Sequence, residues 1–189
     1  MDADLDDRLM TALQTGDVSR LALLFERHHR ALFNFFLRLT GDRQASEDLV
    51  QDVFLRILKY HATYRPGSQF RAWMYQLARH AYLDRRKPAG REVPLDALVD
   101  EPPSPAPHAP DALHQDQQAA LVRRALARLP EDKREVLVLS RYQGLSYEQV
   151  GALLGIEVGA VKVRVYRAVR ALRIILLELS GESSCRANS

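Results

Sequence analysis

Ser146-Tyr147-Glu148-Gln149-Val150-Gly151-Ala152-Leu153-Leu154-Gly155 is followed, past Ile156-Glu157, by Val158-Gly159-Ala160-Val161-Lys162-Val163-Arg164-Val165-Tyr166-Arg167-Ala168-Val169-Arg170-Ala171-Leu172-Arg173. The opening tetrapeptide has the form of a capping box, in which the Ser146 hydroxyl accepts from the Gln149 amide while the Gln149 side chain reaches back. Leu145 and Val150 flank it at the two positions of a hydrophobic staple. Gly155 stops the short helix, because glycine accepts the left-handed conformation of a tight C-terminal turn. From Val158 to Arg173 the next segment carries Lys162, Arg164, Arg167, Arg170 and Arg173 and no acid. A capped short helix, a glycine turn and an acid-free basic helix predict a helix-turn-helix whose second helix enters a DNA groove.

At roughly 100° per residue, Val161, Val165, Ala168 and Leu172 share one face of that second helix and are expected to be buried. Val163, Tyr166, Arg167 and Arg170 lie opposite, with Lys162 and Arg173 beside them. Val163 is apolar within a basic stripe. It is either a lone surface valine or a contact to a thymine methyl in the major groove. Solvated helix faces usually mix signs, so an unbroken run of cations argues for a polyanionic partner.

The 189-residue chain is 47% hydrophobic and 27% charged, enough for real cores and unlike a disordered composition. Its single cysteine, Cys185, excludes a disulfide framework and suits a reducing cytoplasm. The acidic Met1-Asp2-Ala3-Asp4-Leu5-Asp6-Asp7 start is not a signal peptide. The Ile174–Leu177 apolar run is cut by Glu178, so no membrane span is expected and the protein should be cytoplasmic. From Arg65 to Arg91 seven cations face Asp84 alone, whereas six acids and no base occupy Glu92 to Ala120. Most prolines fall between 88 and 110. Such a stretch predicts a semi-extended linker. The expected fold class is all-α, with two small helical domains joined by a flexible Pro-rich acidic linker: 1–91, a linker at 92–116, a helix-turn-helix domain at 117–180 and a tail at 181–189.

In the first domain Gly16-Asp17 opens a helix carrying Leu21, Leu24, Phe25, Leu32, Phe35, Phe36 and Leu39. Gly41-Asp42 closes it and opens another, whose apolar stripe is Leu49, Val50, Val53, Phe54, Ile57 and Leu58. Asp48, Asp52, Leu55, Arg56 and Lys59 lie opposite. That mixed face is wrong for nucleic acid; a protein partner would suit it, but on the residues alone an ordinary solvated face is the preferred reading. After Pro66-Gly67-Ser68, the residues Phe70, Trp73, Met74, Leu77 and Ala81 form a core stripe. The opposite side carries Tyr75, Arg79, Tyr82 and Arg86, with Arg71 on its flank. Arginines interleaved with rings suit single-stranded nucleic acid, cations tracking phosphates while rings stack on bases.

Catalysis finds no support. His28-His29 diverge on a helix and no Cys/His/Asp cluster joins them, His80 and Asp84 read as a surface pair, and Asp2, Asp4, Asp6 and Asp7 lack the glycine and distal glutamate of a calcium loop. No glycine-rich phosphate loop is present. No metal, cofactor or catalytic residue is expected.

Taken in order, Thr40-Gly41-Asp42, Glu47 to Phe54, Phe70-Arg71-Ala72-Trp73-Met74-Tyr75, Asp84-Arg85, Leu129-Pro130, Arg134-Glu135-Val136-Leu137, Gly144 to Glu148, Leu153-Leu154-Gly155 and Val161 to Arg164 resemble the extracytoplasmic-function sigma factors of bacterial RNA polymerase. The resemblance implies that Asp48, Gln51, Asp52, Leu55 and Arg56 grip the clamp helices of the core enzyme, reversing the preference for a solvated face. It implies that the loop from Tyr64 and Arg65 to Ser68, with Arg71, Tyr75 and Arg79, reads the melted −10 element around a flipped base. The second domain would dock on the polymerase flap and lay Lys162, Val163, Tyr166 and Arg167 into the −35 major groove, with Arg164 and Arg170 on phosphates. The linker would thread toward the RNA exit path, and an anti-sigma factor is an expected partner. Against the family pattern, Gly151 replaces an alanine, Glu157 a serine or proline, and His80 an asparagine. A stand-alone helix-turn-helix regulator is the alternative; it explains the second domain and leaves the aromatic and basic face of the first without a role.

Overall fold

The computed structural model describes the backbone of residues 2–86 and 110–186, and side chains from 4 to 86 and 118 to 181. The described regular structure is helical throughout: α1 Asp2–Gln14, α2 Arg20–Thr40, α3 Arg43–Tyr60, α4 Phe70–Arg86, α5 Pro110–Arg128, α6 Glu131–Leu137, α7 Tyr147–Leu154 and α8 Val158–Arg186. A 3-10 turn, His61–Thr63, follows α3, and a π-helical turn, Val138–Tyr142, continues α6.

Local signals set most boundaries. Gly41 ends α2 at φ 72°, its N–H donating to the Leu37 carbonyl, and the Asp42 side chain then caps α3 by accepting from the Ala45 N–H. The chain therefore reverses within two residues, and α2 and α3 pack as a hairpin. Leu24, Leu32, Phe35, Phe36 and Leu39 meet Leu49, Val53 and Ile57, and α4 closes this core with Phe70, Met74, Leu77 and Ala78, all buried. In the second module α5, α6 and α7 pack against α8, which buries Val161, Val165 and Ala168.

Three features depart from the sequence reading. The acidic start is a helix: α1 places Leu9, Met10 and Leu13 in the core, each burial stabilising by roughly 1.5–3 kcal/mol. Helix α5 starts at Pro110, inside the stretch assigned to the linker, because proline at the first helical position has its φ already set and needs no amide partner. Helix α8 runs 29 residues, through 181–186, where a tail was expected. The remainder of the expected linker, 92–109, lies outside the described residues.

The two modules are packed together. Helices α2 and α4 lie against α6, α7 and the π turn, and one apolar cluster runs through both halves.

Candidate nucleic-acid interfaces

The helix-turn-helix forms as its residues dictate. The Ser146 Oγ accepts from the Gln149 N–H at 3.2 Å, and the Ser146 N–H donates to Gln149 Oε1 at 2.7 Å. Leu145 and Val150 are buried as a staple, and Gly155 turns the chain at φ 68°. Gly151 sits at the crossing, where a Cβ would stand 2.8 Å from the Ile156 carbonyl oxygen. On α8 the residues Lys162, Val163, Arg164, Tyr166, Arg167 and Arg170 are all exposed on one continuous surface, and the Arg170 guanidinium lies 5.9 Å from the Tyr166 ring centre. These six side chains thus share the solvent side of α8, opposite Val161, Val165 and Ala168.

On α3, Leu55 is 65% exposed, and Gln51 and Asp48 are exposed beside it. The charges are held in register by ion pairs: Arg56 bonds both Asp52 at 3.1 Å and Asp84 at 3.0 Å, and Arg85 reaches Asp48 at 3.3 Å. Burial works against the Arg56 charge, but the two carboxylates outweigh it and hold the guanidinium above its ordinary pKa. The face is therefore an ordered lattice of charge around one protruding leucine.

The expected −10 face is placed differently. Tyr75 is fully buried, and its hydroxyl donates to Gln143 Oε1 at 2.5 Å. Burial pushes the Tyr75 phenol up to about 12. Arg71 donates to the Gln143 carbonyl at 2.6 Å, Arg79 pairs with Glu135 at 3.0 Å, and Tyr82 is buried too. The expectation that Tyr75 and Tyr82 lie exposed opposite the core fails, because α4 is covered on that side by the second module. Tyr64 is likewise buried, its ring packed 5.2 Å from Trp73 and 6.1 Å from Phe70. Its phenol is held well above its ordinary pKa, first by burial and then by its bond to the Asp7 carboxylate. Arg65, Pro66, Gly67 and Ser68 remain exposed.

Gln143 was not singled out by the sequence, and Glu135 stands there only within the Arg134–Leu137 stretch, which gives no sign of its pairing with Arg79. The π turn aims Gln143: its N–H bonds the Val138 carbonyl five residues back, which rotates the chain toward α4. Further contacts join the halves, with Arg134 donating to the Leu39 carbonyl at 2.8 Å, Gln149 bonding Gln69 and Arg86 pairing with Glu131. His28 is buried on Asp6, and His29 bonds the Phe25 carbonyl. Among the described residues no group of three or more His, Cys, Asp or Glu could hold a metal ion, and no helix is long and apolar enough to cross a membrane.

Comparison with known proteins gives the site its context. The profile described as Sigma-70 region 2 matches residues 24–92, and that described as Sigma-70, region 4 matches 119–172. The chain is 35% identical over 168 residues to the ECF RNA polymerase sigma factor SigL of Mycobacterium tuberculosis, covering 87% of this chain and 93% of that one. It is 32% identical to the ECF RNA polymerase sigma factor SigE of Mycolicibacterium smegmatis, over 90% of this chain and 68% of the relative. Among solved structures it resembles the sigma factor RpoE of Bartonella quintana, determined in complex with the anti-sigma factor NepR, with a TM-score of 0.67, 28% identity, and coverage of 84% of this chain and 98% of that one. Two matched regions in the right order, on a helical fold with a formed helix-turn-helix, place this chain in the extracytoplasmic-function group of sigma-70 RNA polymerase sigma factors.

Proposed function

We propose that this sigma factor divides promoter-directed initiation with core RNA polymerase among three surfaces. The α3 face of Asp48, Gln51, Asp52, Leu55 and Arg56 holds the core enzyme at its clamp helices, and the second module docks on the flap. The exposed α8 stripe reads the −35 duplex: Lys162, Val163, Tyr166 and Arg167 at base edges, Arg164 and Arg170 on phosphates. The Arg65–Ser68 loop, with Arg71, Tyr75 and Arg79, engages the melted −10 strand. The protein works in the cytoplasm, and an anti-sigma factor restrains it.

The observation that carries this reading is the exposed face of α8 from Lys162 to Arg173, five cations with no acid, behind a capped helix-turn-helix. Arg71, Tyr75 and Arg79 are bonded to the second module, so single-strand reading requires the modules to part. Separation on the polymerase would supply this, since binding energy to two distant core surfaces opposes the closed packing.

Run-off transcription with core polymerase on the gene's own upstream region tests the reading. A discrete start that depends on this protein, and is lost with Arg167→Ala, is expected. Binding of that DNA without core enzyme, and no start with it, would instead indicate a stand-alone regulator.

A further inference from the structure

Helix α1 precedes the matched 24–92 stretch, yet its side chains grip the loop that follows α3. One Asp7 carboxylate oxygen accepts from the Tyr64 hydroxyl, and the other accepts from the Gly67 N–H at 3.0 Å. Gln14 Nε2 donates to the carbonyls of His61 and Tyr64, both at 2.8 Å. Next to Asp7, the buried Asp6 accepts from Arg27 at 2.8 Å and bonds His28 at 3.0 Å, riveting α1 to α2.

The gripped loop is a turn that needs holding. Ser68 N–H bonds the Arg65 carbonyl at 3.1 Å around Pro66-Gly67, with Gly67 at φ 81°. Gln69 has φ 59°, the single non-glycine positive φ among the described residues. The Gly67 N–H is not used inside the turn. Asp7 takes it and, with its second oxygen, holds the ring beneath.

We infer that Asp7 is a positioning residue for −10 reading, fixing the Arg65–Ser68 loop through Tyr64 and Gly67 without itself meeting DNA. This rests on the loop's proposed role. Both Asp7 oxygens are engaged inward, which leaves Arg65 and Ser68 exposed in one defined presentation.

The test uses full-length protein assembled with core polymerase, on the promoter that the wild-type holoenzyme selects from a random-sequence library. Two quantities are read: base preference at each −10 and −35 position among open complexes, and, in the protein before assembly, emission of Trp73, its sole tryptophan, which packs on Tyr64. Asp7→Ala removes both charge-assisted bonds, so it should shift the Trp73 emission and flatten the −10 preference by about tenfold or more. Core affinity and −35 preference should hold. Tyr64→Phe keeps the ring and deletes only the hydroxyl, so it should show part of the loss, and adding it to Asp7→Ala should cost nothing further. Asp7→Asn, with one acceptor oxygen, should fall between. Uniformly weaker opening with unchanged −10 preference, or additive effects of the two changes, overturns the inference. If Arg65→Ala flattens the preference while Asp7→Ala and Tyr64→Phe do not, the positioning role fails and the loop's reading stands. If none of the three alters it, both fail.

Discussion

Gly151 lies inside α7, where glycine costs about 1 kcal/mol of helix propensity relative to alanine. Packing explains it: an added Cβ would press within 2.8 Å of a backbone carbonyl that cannot swing aside. Gly151→Ala should therefore destabilise the second module by about 1–3 kcal/mol despite its better propensity, visible as a lower urea midpoint. On α8 the exposed arginines should separate into two kinds. Arg167→Ala should cost on the order of 1–3 kcal/mol on the preferred −35 sequence and relax choice there. Arg170→Ala should weaken all duplexes alike and flatten the salt slope by about one unit. Titration of both variants on specific and random duplex at several salt concentrations checks this; equal behaviour removes the division.

At the scale of elements, α3 and α1 show two uses of charge. On α3 the ion pairs order the surface around Leu55, so Leu55→Asp should spare the fold and weaken core binding. Asp52→Arg also breaks the Arg56 pair, and a reversed charge at an interface can cost about 2–5 kcal/mol. Competition for core enzyme against wild type reads both. On α1, burial works to raise the Asp6 pKa, but bonds from His28 and Arg27 outweigh it and hold the carboxylate below its ordinary value. A depressed carboxylate stabilises the fold above its unfolded pKa and ceases to as pH falls through the folded one. The docking of α1 should thus be intact above about pH 5 and weaken on acidification through and below 3.8. Hydrogen exchange of α1 amides against pH would show it, and Asp6→Asn should remove the dependence.

Across the whole molecule, a closed packing hides part of the proposed DNA surface. Gln143 satisfies Tyr75 and Arg71 together, and Glu135 neutralises the half-buried Arg79. Tyr75→Ala would remove a core ring, so an accessible test of opening lies on the other side. Gln143→Ala or Glu135→Ala strips the partner and leaves α4 intact, and a buried donor left unpaired costs about 1–3 kcal/mol. Energy transfer between dyes on the two modules should report a larger separated fraction, with tighter binding of a −10 single strand. Unchanged transfer would mean that apolar contacts alone hold the modules closed.

The helix-turn-helix was legible in the sequence because its determinants are local: a capping box spans four residues, a glycine stop needs one, and a basic face follows helical spacing. The hairpin of α2 and α3 was legible for the same reason, through Gly41 and Asp42. Helix α1 carried a usable signal, the spacing of Asp6, Leu9, Met10 and Leu13, which the run of aspartates concealed. What packs on the second side of α4 had no such signal. Periodicity reports which residues share a face, and a face is exposed only until another body covers it. The bond of buried Tyr75 to Gln143 and the grip of Asp7 on Gly67 join residues dozens of positions apart. Those contacts exist because separate surfaces met, and only the tertiary structure could decide them.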